Sequence, residues 1–205
     1  MKKILATLLA VLTICLLTAC GSSAEKNPAD NSAKSSDAKT SAQAPPHADK
    51  ILVAYFSCTN NTKNAALEVA ELLNADTFEI VPVQPYTKDD LNYQIEECRA
   101  NVEQKDFNAR PEIKSKLENP AQYKAVVIAF PIWWGEEPRI VDTFVESYDF
   151  AGKIIVPVCT SGGSDIMTAT QNLRVLCKGS DVRDGQRLGI ISKDEVKAWL
   201  DSLNL

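Results

Sequence analysis

Hydrophobic and polar positions along residues 50–205 follow two rhythms, short apolar runs and helical spacings, and the two take turns. Lys50 to Phe56 is an almost unbroken apolar run, the pattern of a strand buried on both faces. Asn64 to Leu73 then carries Ala66, Val69, Ala70 and Leu73 at helical spacing. Thr77 to Val83 alternates and stops at Pro85, which predicts a second strand. Thr87 with Asp90 resembles a capping box, and Leu91, Ile95, Cys98 and Val102 recur on one helical face, predicting a helix that ends before Pro111. Lys124 to Phe130 is the third predicted strand, with Val141, Phe144, Val145 and Tyr148 marking the helix after it. Lys153 to Cys159 is the fourth, followed by a helix holding Ile166, Ala169, Leu173 and Leu176. Gln186 to Ile191 reads as a weaker fifth strand, and Ser192 with Glu195 caps a last helix bearing Val196, Trp199 and Leu203.

Five strands alternating with five helices predict the α/β class, a doubly wound parallel sheet with helices on both faces. Ligands in such sheets sit beyond the carboxyl ends of the strands, where strand order reverses. The loops after strands one, three and four are therefore the place to look for chemistry.

Ahead of this domain the pattern changes twice. Met1-Lys2-Lys3 is followed by an apolar run from Ile4 to Leu17 and then by Leu17-Thr18-Ala19-Cys20. A basic start, about 15 apolar residues and a small-residue site describe a secretory signal over residues 1–19, too short for a comfortable membrane span. The tetrapeptide ending at Cys20 resembles the bacterial lipobox, which implies lipidation of Cys20 and enough acyl chains for stable anchoring. Residues 20–49 are rich in Ser, Ala, Lys, Asp, Asn and Pro with no apolar periodicity, so they are expected to act as a flexible tether. The expected location is outside the cytoplasm, on the cell membrane; Gly21 in place of Asp leaves the outer membrane open as a destination in a two-membrane cell.

Composition narrows the chemistry further. The 205 residues include 22 basic and 27 acidic side chains, for a net charge of −5; loss of Lys2 and Lys3 with the signal takes it to −7. With no basic stripe interleaved with aromatics, nucleic acid is not an expected partner. The single histidine, His47, lies in the tether beside Pro45 and Pro46, which argues against a His triad or a His-bearing metal site in the domain.

The first loop reads Ser57-Cys58-Thr59-Asn60-Asn61-Thr62 and runs from a strand into a helix N-terminus. Backbone amides there, with the hydroxyls of Ser57, Thr59 and Thr62, suit a phosphate without needing lysine, although a Ser/Thr-rich turn also simply caps helices. It is neither a Walker loop nor a dinucleotide fingerprint. The second loop, Pro131-Ile132-Trp133-Trp134-Gly135, leaves the third strand. Consecutive residues of extended chain point in opposite directions, so one tryptophan can pack inward while the other offers its ring to a planar ligand. The third, Thr160-Ser161-Gly162-Gly163, allows close approach of backbone and hydrogen bonding from its hydroxyls.

The first loop resembles the flavodoxin phosphate loop, usually written Thr/Ser-x-Thr-Gly-Asn-Thr, with Asn60 standing where that family has glycine. Asn tolerates positive φ better than other L-residues, so the turn is expected to survive. The Pro-x-Trp-Trp-Gly loop resembles that of small bacterial flavodoxin-like proteins, and the resemblance extends over residues 50–205. It implies a five-stranded sheet in the order 2-1-3-4-5 with FMN held by the three loops, and no separate catalytic residue because the flavin carries the chemistry. It also implies electron transfer or flavin-dependent reduction, with a quinone-type acceptor among the candidates and a membrane quinol or another protein as redox partner. Glu136, Glu137 and Asp165 are expected beside the flavin edge, where carboxylates would lower the potential of the fully reduced, anionic flavin, or else to serve only as helix caps.

In that strand order Cys58 and Cys159 lie about 9 to 10 Å apart across strand three, too far for a disulfide. Cys98 and Cys177 are expected as buried free thiols. A flavin-free lipoprotein that keeps the fold as a binding or adhesion module is the alternative function. A hydrolase built on Ser161 or Ser164 lacks both the Gly-x-Ser-x-Gly elbow and a histidine in the domain.

Overall fold

A computed structural model describes residues 49–205. The expected signal over 1–19, the expected lipidation site Cys20 and nearly all of the expected tether lie outside the described residues. Strands β1 (Lys50–Tyr55), β2 (Asp76–Glu79), β3 (Tyr123–Pro131) and β4 (Ile154–Thr160) form a parallel sheet in the order β2-β1-β3-β4. β5 (Asp181–Val182) and β6 (Gln186–Leu188) both pair with β4. Five helices complete the described fold: α1 (Asn61–Leu73), α2 (Arg99–Lys105), α3 (Arg139–Glu146), α4 (Met167–Leu176) and α5 (Lys193–Ser202). The expected order 2-1-3-4-5 is present.

Side-chain alternation explains the two layers. Leu52 and Ala54 of β1, Val126, Ile128 and Phe130 of β3, and Ile155 of β4 face α3 and α4, where Ile140, Phe144, Ala169 and Leu173 are buried with them. Their neighbours Val53, Tyr55, Val127, Ala129, Val156 and Val158 face Ala66, Val69 and Ala70 of α1 and Val196 and Leu200 of α5. Every central strand is thus buried on both faces, which is why its sequence runs apolar without a break. Ser192 caps α5 through the reciprocal pair of bonds with Glu195 that the sequence predicts.

Three elements differ from expectation. The second strand ends at Glu79 rather than Val83, because Val81 and Val83 turn away to bond Ser115 Oγ and the Glu112 carbonyl. The fifth strand is split rather than continuous over 186–191. Pro157 has no N–H to offer it, and the register against β4 slips by one residue between β5 and β6. There Gly185 lies so close to the Pro157 carbonyl, Ile166 and Thr170 that a Cβ would meet atoms at 2.7 to 3.0 Å.

The third difference is the expected helix from Thr87. Thr87 and Asp90 do bond each other, but they close a turn, and Cys98 is the extended N-cap of a seven-residue α2. Ile95 and Val102 are exposed, while α2 buries Ala100, Asn101 and Gln104. A side-chain amide takes the place of helical bonding there: Asn101 Nδ2 donates to the carbonyls of Tyr93 and Ile95 at 3.0 and 2.8 Å. Tyr148 falls just past the end of α3 and accepts a bond from the Leu117 amide.

Candidate functional site

The carboxyl ends of β1, β3 and β4 open onto a cavity of about 500 Å³, within the usual range for small-ligand sites. Ser57, Cys58, Thr59, Asn61 and Thr62 line it from the first loop, Pro131, Trp133 and Trp134 from the second, and Thr160, Ser161 and Gly162 from the third. The three loops named by the sequence therefore meet at one place. Asn60, Ile132, Gly135 and Gly163, also expected at the site, do not line it. None of the lining side chains is charged.

In the first loop, Asn60 adopts φ 65°, the left-handed conformation expected of the residue that replaces glycine. No side chain caps the start of α1, so its first amides and the positive end of its dipole face the loop. The Ser57 hydroxyl oxygen is buried without a hydrogen-bond partner. A buried polar group left unpaired costs free energy unless a ligand completes it. Thr62, almost fully buried, shares a 2.7 Å hydrogen bond with Thr160, tying the first loop to the third.

The second loop is a tight hairpin. Trp133 N–H donates to the Glu136 carbonyl at 2.9 Å and Glu136 N–H returns a bond at 3.0 Å, with Trp134 at φ 53° and Gly135 at φ 88° between them. Two positive-φ residues in a two-residue connection are the geometry of a type I′ turn. The tryptophans divide as expected. Trp133 packs edge-on against Phe56 and Tyr86, ring centres 5.6 and 5.4 Å away, whereas Trp134 is 68% exposed. Its Nε1 donates to Asn101 Oδ1 at 2.7 Å. Ile132 packs into the core on the α3 side.

In the third loop the glycines are not called on for positive φ, and open space surrounds both. What shapes the loop is Arg187 of β6, whose guanidinium donates to the Ser161 carbonyl at 2.8 Å and the Gly163 carbonyl at 3.2 Å. The sequence reading missed Arg187, and missed the wall formed by Leu91, Tyr93, Ala100 and Asn101. Only the polar residue at position 101, out of step with the apolar spacing, hints at that wall.

The three acids expected at the ligand edge do not line the cavity. Asp165 accepts from the Met167 amide two residues on at 2.9 Å, a local turn ahead of α4 rather than a helix cap, since Ile166 is the N-cap. Glu136 is drawn to Arg139 at 2.7 Å. Glu137 turns inward, is 1% exposed, and accepts from Asn172 Nδ2 at 3.2 Å. Burial pushes its carboxyl up to about 8, with the neighbouring Asp142 adding to the rise. Asp142 is raised to about 6, held lower by Arg139 and Arg110. Glu137 Oε1 and Asp142 Oδ1 are both buried without a donor, and one proton shared between the two carboxyls would satisfy both. Asp142 lies 3.4 Å from the Arg139 guanidinium and 3.8 Å from that of Arg110, which favours its charged form over that of Glu137. The expectation of a lowered flavin potential from these acids therefore loses its structural basis.

Cys58, Cys98, Cys159 and Cys177 are all free, and all but Cys58 are buried. Burial pushes the Cys159 and Cys177 thiols up to about 12, so neither is a reactive thiolate near neutral pH. Among the described residues no cluster of His, Cys, Asp and Glu is arranged to hold a metal.

A family model described as flavodoxin matches residues 50–203. The chain belongs to the flavodoxin family. Among solved structures, a protein of Bacteroides eggerthii DSM 20697 provisionally designated a flavoprotein is 40% identical, with a TM-score of 0.73 over 76% of this chain and 98% of that one. A counterpart from Bacteroides uniformis ATCC 8492 is 43% identical, with a TM-score of 0.71 over 74% and 97%. A flavoprotein of Lactobacillus acidophilus NCFM, solved in complex with FMN, shares the fold at 19% identity and a TM-score of 0.56 over 74% and 98%. No curated protein matches the sequence.

Proposed function

We propose that this chain binds FMN in the cavity at the ends of β1, β3 and β4 and works as an exported flavoprotein, in electron transfer or flavin-dependent reduction. The observation that carries the reading is the buried Ser57 hydroxyl without a partner, beside the uncapped start of α1. A phosphate oxygen completes both. Thr59 and Thr62 would add hydroxyls around it, and Trp134 offers an exposed ring to the isoalloxazine. The structurally similar Lactobacillus protein is solved with FMN, which supports the same ligand here. Bound FMN supplies one- and two-electron chemistry at its ring. The protein's part is to hold the phosphate with backbone amides and hydroxyls, stack the ring and keep bulk water from it.

The lipobox-like Leu17-Thr18-Ala19-Cys20 supports a lipid anchor at Cys20 and a place outside the cytoplasm. A membrane quinol or another protein is the proposed redox partner. A quinone-type acceptor is the proposed oxidant. The test is the visible absorption spectrum of purified residues 44–205 before and after addition of FMN and removal of the excess. A retained flavin spectrum is the expected result. A colourless protein whose tryptophan fluorescence ignores FMN would transfer the reading to a flavin-free binding or adhesion module.

A further inference from the structure

Trp134 is the anomaly of the site. A bulky aromatic residue at φ 53° occupies a region that L-residues avoid, and strain of this kind persists only where the surroundings over-determine it. The hairpin bonds of Trp133 and Glu136 supply part of that restraint. The rest comes from Asn101, which is 3% exposed and bonds the Trp134 indole at 2.7 Å.

The carboxamide of Asn101 is fully used. Its Nδ2 hydrogens go to the carbonyls of Tyr93 and Ile95, and its Oδ1 takes the indole hydrogen. Carbonyls only accept and an indole N–H only donates, so the flipped amide would lose all three bonds. Holding the Tyr93 and Ile95 turns to α2 would require the Nδ2 bonds alone. The bond to Trp134 adds nothing to that task, since water could satisfy the N–H of so exposed a ring.

We propose that Asn101 is the positioning residue of the flavin site: it fixes the plane of the Trp134 indole and joins that ring to the Leu91–Tyr93 wall, so that the stacking surface is set before a planar ligand arrives. The inference rests on the flavin reading for its ligand and on the Asn101 hydrogen bonds for its geometry. Its advantage is preorganisation, because a ring already held loses little rotamer freedom on binding.

The test is a double-mutant cycle in the full chain, with Asn101→Ala, Trp134→Phe and the pair, read as FMN dissociation constants. Trp134→Phe keeps a ring but removes the N–H, cutting the link without touching the bonds to Tyr93 and Ile95. Asn101→Ala is expected to weaken FMN about tenfold, as for loss of one good hydrogen bond, and to have no further effect in the Trp134→Phe background. Equal weakening in both backgrounds would show Asn101 acting on the fold alone and overturn the proposal, as would unchanged affinity in Asn101→Ala.

A second readout needs neither flavin nor Asn101→Ala. In the ligand-free wild type, the Trp134 indole N–H, assigned by its absence in Trp134→Phe, is expected to exchange slowly with solvent. An N–H exchanging as fast as a solvated indole would overturn the proposal. A chain that takes up no FMN but protects this N–H defeats the flavin reading while leaving the positioning role standing.

Discussion

Replacing Glu137 with glutamine should make the protein more stable at neutral pH, although it removes a buried charged residue type from the core. Glu137 is 1% exposed and its carboxyl is raised from an ordinary 4.5 to about 8. Between those two values the folded chain holds a proton that the unfolded chain releases, so stability falls as pH rises. Each pH unit in that window is worth about 1.4 kcal/mol. At pH 7 the penalty is therefore about 3 kcal/mol. Asp142, raised from 3.8 to about 6, acts with the same sign at lower pH. The carboxylates whose values are lowered by partners, Asp76, Asp90, Glu96, Glu146 and Glu195, contribute stability that is complete above pH 5 and is lost only in acid. The interval from pH 6 to 8 thus isolates Glu137. In Glu137→Gln the new amide can donate to Asp142 in place of the shared proton, and its oxygen can still accept from Asn172. Urea unfolding from pH 5.5 to 8.5 should show wild-type stability declining and the variant nearly flat above pH 6, the curves separating by about 3 kcal/mol at pH 7. A variant that follows the wild-type slope, or is less stable at pH 8, would refute the shared-proton account.

Other outcomes follow from single residues. Ser57→Ala removes an unpaired buried hydroxyl, so the ligand-free protein should gain about 1 kcal/mol in urea unfolding while FMN binding, followed by flavin fluorescence, weakens about tenfold. Asn60→Ala should lose about 1 kcal/mol because alanine tolerates the left-handed region poorly, whereas Asn60→Gly should stay within about 0.5 kcal/mol of wild type in the same assay. Ser192→Ala opens the α5 capping box and should cost about 1 kcal/mol, seen as a lower thermal midpoint without change in FMN affinity.

The central sheet and its three cavity-lining loops were legible because burial on both faces leaves a continuous apolar signature, and the end of each such run marks a loop at the same edge. Asn60 and the divided roles of the tryptophans were legible for stereochemical reasons: asparagine suits positive φ, and adjacent residues of an extended chain point apart. The segment from Thr87 to Lys105 misled because apolar spacing assumes that backbone groups bond along the helix, while here the Asn101 side chain takes two of the carbonyls. The acids misled for a related reason. Proximity in sequence put Glu136 and Glu137 beside the ligand, but Arg139 and Asn172 draw their carboxylates elsewhere, and such partners become neighbours only once the chain has folded.

The interruption opposite Pro157 bears on how copies of the protein behave together. One edge of the sheet is carried by pieces of only two and three residues, β5 and β6, with a one-residue register slip between them. An exposed edge strand is a template on which another chain can add its own strand, and a continuous one would be a hazard wherever molecules are crowded side by side. Because one proline withholds one N–H, neither piece is long enough to seed a ladder between neighbouring molecules.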